Sequence, residues 1–308
     1  MDAADLRIFE TVVRLGSMSR ASEELHTVQS NVTTRIQALE QELGVQLLLR
    51  SNRGVSPTPA GKRLLPYAAA VARVLTDARQ AAIDNGTPAG PLTVGTLETT
   101  AAMRLSPVMA GYTSTYPDVD LTLRTGTTCE LIDQVLERQL DGAFVCGPVN
   151  HSALAEEVFF DEELVVLTAP DVKDLDVYLS KPNLKIIVLR AGCSYRLILE
   201  AALARRGVVG FRLLEFGTLE SIFSTVSAGL GLTLFPRRLV GSACPEGRVA
   251  VHSLGGSENR VQTAFIRRHD TYASSALTHF LDAAREAWKP SQVAAEQGQI
   301  SIFQITAI

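Results

Sequence analysis

The stretch "QSNVTTRIQALEQEL" (residues 29–43) sets amides and hydroxyls against an apolar stripe. At about 100° per residue, Val32, Ile36, Leu39 and Leu43 share one helical face and are expected to be buried. Ser30, Thr34, Gln37 and Gln41 fall opposite, flanked by Asn31 and Thr33. Groups of this kind bond base edges and phosphates without steric bulk. A face that merely meets solvent gives the same pattern, although Glu and Lys are the usual residues there. Next comes "LLLRSNRGVSPTPAG", in which Arg50 and Arg53 flank a tight turn with Gly54. A short hairpin there would carry two guanidinium groups able to bind phosphates or enter a minor groove. The alternative is a loop with two solvated arginines.

A second set of chemistry-bearing residues recurs farther on. "PLTVGTLETT", "LTLRTGTTCEL", "IIVLRAGCSYRLIL" and "LLEFGTLESIF" each read as strand, glycine, helix start. Such junctions leave hydroxyls and free N–H groups at the C-terminal ends of strands, where open α/β sheets bind ligands and helix N-termini favour anions. The candidates are Thr99, Thr100, Thr127, Thr128, Ser194, Tyr195 and Thr218. Taken singly, each reads as a helix N-cap; four such starts around one cleft favour ligand binding. Glu98 and Glu220 lie near the same ends and can hold a ligand amine or rest solvated at the rim. Cys146 and Cys193 can line the same cleft or simply fill space.

These residues need elements to position them. Leu6, Phe9 and Val13 share one face of a first helix that Gly16 ends. Ser19 is the expected N-cap of a second helix, with Ala21 and Leu25 inward; His26-Thr27-Val28 forms the break, and Gly44 stops the third helix. Thr58 caps a long helix with Pro59 at its first position. Along it, Leu64, Ala68, Val71, Leu75, Ala78 and Ala82 form a heptad seam. That seam either pairs with a second chain or packs on the chain's own core. "DNGTPAGP" then breaks the chain, and from Pro91 strand-type and helical runs alternate, the mark of an α/β domain.

Composition narrows the classes. The 308 residues suffice for two or three domains, and 46% are apolar. A net charge of −4 gives no global sign of nucleic-acid binding, but recognition depends on where charge sits. No apolar run is long enough for a membrane helix, and the acidic start lacks a signal core, so a cytoplasmic protein is expected. Cys129, Cys146, Cys193 and Cys244 fit no metal or disulfide framework. They read as buried thiols, with a thiol redox sensor as the alternative. The five histidines show no metal-ligand spacing. A nucleophile elbow, a P-loop and a dinucleotide fingerprint are missing too. No catalytic residue, metal or cofactor is expected.

The sequence resembles the LysR-type transcriptional regulators. The likeness rests on "GS" before the second helix, "A-x-x-L-H" at its end, "R-I-x-x-L-E-x-E-L-G", "L-x-R" and "T-P-A-G", in that order. "YPDVDLTLRTG", "LIDQVLERQLDGAFV" and "VSAGLGLTLFP" extend it over about residues 5–290. The resemblance implies an α/β protein in three parts: a winged helix-turn-helix N-terminal domain (1–58), a dimerising linker helix and hinge (59–90), and a two-lobed effector domain like a periplasmic binding protein (91–290). Lobe one is expected at 91–161 and 266–290, lobe two at 162–265, and the 291–308 tail has no assigned role. It also implies double-stranded DNA and a small-molecule effector as partners, a homodimer or homotetramer, and RNA polymerase as a contact open to such a regulator. Gln29, Ser30, Thr33 and Thr34 match the family's base-reading positions, and Arg35, Arg50 and Arg53 its backbone or groove contacts. Val28 stands where many members have serine, which leaves Thr27 as the alternative cap, and Thr33-Thr34 where many have Ser-Arg.

Overall fold

A computed structural model describes residues 1–51, 54–254 and 259–289. Arg53 and the 291–308 tail lie outside the described residues. The chain divides into two compact units, one of residues 1–85 with 137–139, the other of the remainder.

In the first unit, helix α1 (Ala3–Leu15) starts at a reciprocal cap between Asp2 and Asp5 and stops at Gly16, whose φ is 63°. Helix α2 (Met18–Glu24) is capped by Ser17 rather than the expected Ser19. The Ser19 hydroxyl instead donates to Gln29 Oε1 at 2.9 Å. Helix α3 (Gln29–Leu43) ends at Gly44, in the left-handed region as expected. Strands β1 (Leu48–Ser51) and β2 (Gly54–Pro57) pair antiparallel as the wing. Helix α4 (Pro59–Ile83) follows, with the Thr58 hydroxyl accepting from the Gly61 N–H at 3.0 Å.

Phe9, Val12, Ala21, Val32, Ile36, Leu39 and Leu47 fill one core. Leu43 does not join it: it is 38% exposed. The stripe on α3 continues geometrically, but Leu47 and Leu48, not Leu43, join the core beyond Leu39. Glu40 Oε1 fixes that return by accepting from the Leu47 and Leu48 N–H groups at 2.7 and 3.1 Å. The α4 seam divides. Ala68 is buried in this unit's own core with Leu64 and Val71 against it, while Val74, Leu75 and Ile83 stay exposed.

The second unit opens with β3 (Gly90–Thr96), then α5 (Glu98–Thr100), which runs through a π turn at Ala101–Leu105 into α6 (Ser106–Thr115). Strand β4 (Val119–Thr125), α7 (Thr128–Leu136), β5 (Gly142–Gly147) and the long β6 (Leu154–Thr168) come next. They are followed by α8 (Leu175–Leu179), β7 (Lys185–Val188), α9 (Ser194–Arg205), β8 (Arg212–Glu215) and α10 (Leu219–Ser227). Strand β9 (Thr233–Pro236), the short α11 (Leu239–Ser242), β10 (Ala250–Ser253), β11 (Arg260–Arg268) and α12 (Ser275–Trp288) complete the unit.

Strand β3 pairs in parallel with β4 and β5, and β11 pairs antiparallel with β5 and β6. Strand β6 changes neighbours along its length. Residues 154–163 face β11, whereas 164–168 lie between β9 and β10. One strand thus belongs to both lobes. Phe144, Phe265 and Phe280 anchor an apolar cluster in the first lobe. Ile186, Leu199, Phe223 and Phe235 belong to a second.

Candidate functional site

The first candidate surface is the start of α3. Val28, its N-cap, offers no side-chain acceptor, so the first N–H groups of the helix are not covered by a side chain. Thr27 does not take over; its hydroxyl accepts from Asn31 Nδ2 at 2.9 Å. A helix that opens without a side-chain cap presents donors and the positive end of its dipole to an anion such as a DNA phosphate. Gln29, Ser30, Asn31 and Thr34 are exposed here and Thr33 is half-buried. Gln29 Oε1 keeps a second lone pair beside its bond from Ser19, and its amide N–H groups remain for a base edge.

The arginines differ. Arg50 is exposed on β1 opposite Val55, with no carboxylate among the described residues paired to it. Arg35 is drawn back onto the start of α1. Its Nη2 bonds Asp2 at 2.8 and 3.0 Å, and its Nε lies 2.7 Å from Asp5 Oδ1. The side-chain bond to Asp2, more than the charge of Asp5, holds the guanidinium above its ordinary pKa. Arg35 thus positions α3 against α1, and Asp2 and Asp5 partly neutralise it. The signal was readable: Asp2 and Asp5 stand at the cap and in the first turn of the helix that Arg35 meets.

The second candidate surface is a cleft of about 410 Å³, its open mouth included, where the β3–α5, β4–α7 and β7–α9 junctions converge. Glu98, Thr99, Thr127 and Tyr195 line it with Cys193. Among the described residues, three hydrogen bonds that involve side chains cross between junctions. Thr99 Oγ1 and the Tyr195 hydroxyl are 3.2 Å apart, Ser194 Oγ donates to Thr128 Oγ1 at 3.0 Å, and the Leu219 N–H donates to Glu98 Oε1 at 3.3 Å. Gly192, at φ 90°, permits this approach: a Cβ there would lie 2.8 Å from Thr127 Oγ1. Burial holds the Tyr195 phenol well above its usual pKa, so it stays a neutral donor.

The other expected residues are placed differently. Thr100, Thr128, Cys146 and Ser194 do not line the cleft opening. Thr218 is exposed and serves as the N-cap of α10, accepting from Ser221 N–H; its junction reaches the cleft only through the Leu219 bond. Glu220 faces away and pairs with Arg248 at 2.6 Å. Cys146 and Cys193 are buried, and burial pushes the Cys146 thiol up to about 11. Protonated thiols are poor nucleophiles.

Two residues escaped the sequence reading. Arg190 lines the mouth, 3.9 Å from Glu130; its place directly after a strand, before the glycine of "RAGCS", was a usable signal. Glu162 is buried on β6 with its Oε1 3.4 Å from Arg104 Nε, and Arg104 stacks over the Phe160 ring at 3.9 Å.

Both parts of the chain match known families. Residues 3–62 match the family described as bacterial regulatory helix-turn-helix protein, lysR family, and residues 85–289 match the LysR substrate binding domain. The chain belongs to the LysR family of transcriptional regulators. Like its relatives, this LysR-type regulator is a transcription regulator and not an enzyme. The uncharacterized HTH-type transcriptional regulator YusT of Bacillus subtilis (strain 168) is 43% identical over 283 residues, 92% of this chain and 95% of that protein. The HTH-type transcriptional regulator GltR of the same organism is 41% identical over 281 residues, 91% and 95% of the two chains. Among solved structures, a full-length OxyR variant from Pseudomonas aeruginosa superposes with a TM-score of 0.67 at 22% identity, covering 95% of this chain and 96% of that one. CbnR complexed with its target DNA gives 0.62 at 20% identity, covering 93% and 100%. These two share the fold of this LysR-type regulator. Among the described residues, no helix is long and apolar enough to cross a membrane.

Proposed function

We propose that this LysR-type regulator reads double-stranded DNA with the exposed face of α3 and the β1–β2 wing, under the control of a small-molecule effector held between the lobes of its second unit. The observation that carries the reading is the division of α3. Its Val32, Ile36 and Leu39 side is buried, while its polar side and the start of the helix lie open, and Arg50 is exposed on the wing. CbnR, whose structure was solved with its target DNA, has the same fold and supports this use of it. The exposed second half of α4 supports pairing with a second copy, as a dimer or as half of a tetramer, which would present two copies of α3 to two half-sites. Residues 1–58, 59–90 and 91–290 then serve as reader, linker and sensor in a cytoplasmic protein.

Closing the lobes on an effector would bias one assembly over another. Effector and DNA must then change each other's affinity by the same factor. Selection of bound fragments from the source genome, repeated with metabolite extracts, tests the reading; failure to retain any fragment at low ionic strength would overturn it. Burial of the Cys146 and Cys193 thiols gives no support to a redox role at those two positions, whereas Cys129, expected to be buried, is exposed.

Two substitutions separate the parts of the interface. Arg50→Ala should weaken binding to every DNA sequence and flatten the dependence of affinity on salt by about one unit of slope. An unchanged slope removes Arg50 from the phosphate contacts. Gln29→Ala should instead relax preference at one base position, at a cost of about 1–3 kcal/mol. Recovery of the same motif from random DNA would show that Gln29 is not a reader.

A further inference from the structure

Two hydroxyls that the sequence offers as helix caps are used elsewhere. Ser17 caps α2, accepting from the Arg20 N–H at 3.3 Å, so the Ser19 hydroxyl is not committed there. It reaches across to α3 and donates to Gln29 Oε1 at 2.9 Å. Thr27, one residue before the N-cap of α3, accepts from Asn31 Nδ2 at 2.9 Å. Both hydroxyls stand on a common support. The Ser22 hydroxyl donates to the Ser19 carbonyl at 2.7 Å, and the Ser22 carbonyl accepts from the Thr27 N–H at 2.9 Å. Ser22 is itself buried. One buried residue of α2 thus anchors both tethers to the first turn of α3.

Gln29 and Asn31 are exposed, and among the described residues these are the only bonds that either side chain makes. An exposed glutamine left alone samples many rotamers, and fixing one of them on binding costs free energy. A tether formed in the free protein removes that cost from the binding step. The polarity of the two bonds matters as well. Gln29 commits one lone pair of Oε1 to Ser19. It keeps the other lone pair and both Nε2 hydrogens, the acceptor and donor that match adenine N6 and N7. Asn31 commits one Nδ2 hydrogen to Thr27. It keeps Oδ1 whole, an acceptor for the exocyclic amine of adenine or cytosine. Neither tether takes an atom that a base edge needs.

We propose that Ser19 and Thr27 are positioning residues for DNA recognition, holding Gln29 and Asn31 ready for the base edges; this rests on the DNA reading above and adds two residues outside α3 to those that set sequence preference. Neither needs to touch the duplex. Their effect falls on the choice among sequences and not on the sequence-independent attraction to phosphate.

Affinities of the full chain for one fragment selected from the source genome, and for each of its single-base-pair variants, test this. Gln29→Ala identifies the position that Gln29 reads, and Asn31→Ala the position of Asn31. Ser19→Ala should lower the preference at the first position about two- to tenfold, with the salt slope and melting curve of the parent. Ser19→Thr, which keeps the hydroxyl, should restore it. Thr27→Val should act likewise at the Asn31 position, and Thr27→Ser should restore that. Adding Ser19→Ala to Gln29→Ala should change nothing further. Each tether stands or falls at its own position. It is refuted if its loss leaves that position as sharp as in the parent, if the variant that keeps the hydroxyl does not restore preference, or if the two losses simply add. A variant that weakens all sequences equally and flattens the salt slope would mark a direct phosphate contact, and would refute the tether too. If Gln29→Ala and Asn31→Ala relax no position, base reading by these two residues falls and the tethers fall with it. Positions that those variants relax, but the tether variants leave sharp, remove the tethers alone.

Discussion

Replacing Gly61 with alanine should lower the melting temperature of the N-terminal unit by roughly 4–24 °C and weaken binding to all DNA. A Cβ at this position would lie 2.2 Å from the carbonyl oxygen of Leu47, 3.1 Å from its carbon and 3.2 Å from Pro57 Cβ. The nearest atom is backbone, so no side-chain rotation relieves the collision. That carbonyl also accepts from the Thr58 N–H at 2.9 Å, and the Thr58 hydroxyl donates to Gln46 O at 2.8 Å. Moving it loosens the joint between the wing and α4. Overpacking of this sort costs about 1–3 kcal/mol, and a lost hydrogen bond about 1 more. Alanine's better helix propensity returns about 1 kcal/mol, which is too little. For a unit of this size, each kcal/mol is worth roughly 4–8 °C. The sole tryptophan, Trp288, lies on α12 of the second unit. Circular dichroism should therefore show an early transition while Trp288 fluorescence melts where it did before. An equal shift of both signals would contradict a local collision.

Phe144→Ala should do the reverse. Phe144 is fully buried and meets Phe159, Phe265 and Trp288 edge to face, with centroids 5.1, 4.9 and 5.0 Å away. Removing such a ring leaves a cavity and costs about 3–5 kcal/mol. In a unit of about two hundred residues that is a fall of roughly 6–20 °C. Trp288 fluorescence should report it directly, in both midpoint and emission wavelength, since the indole loses a neighbour. Phe144→Leu should lose less than half as much. A Phe144→Ala midpoint within a degree of the parent would mean that the ring pocket collapses without penalty.

How much was legible depended on the range of the interaction. Gly16, Gly44 and Thr58 were readable because a stop or cap is decided within four residues. All four strand-to-helix junctions appeared where their glycines and threonines put them. Leu43 failed because periodicity says which side a residue faces, not where the core runs out. Ser19 was displaced as a cap by its neighbour Ser17, two hydroxyls apart in an ambiguous start. Thr218 shows that an N-cap and a ligand donor look alike until exposure separates them. Glu162 was invisible for another reason. Its surroundings come from Arg104, 58 residues earlier, and from the register of β11 on β6, which no local pattern encodes.

Strand β6 carries a mechanical consequence. Because its residues 154–163 and 164–168 are clamped by different neighbours, rotation of one lobe on the other concentrates in the few φ and ψ angles around Glu163 and Leu164. Glu163 is itself pinned by Arg237, through two side-chain bonds of 2.7 and 3.0 Å and a main-chain bond of 2.8 Å. If the lobes close on an effector as proposed, the twist would fall on this segment of β6, which joins the near sheet to the far one.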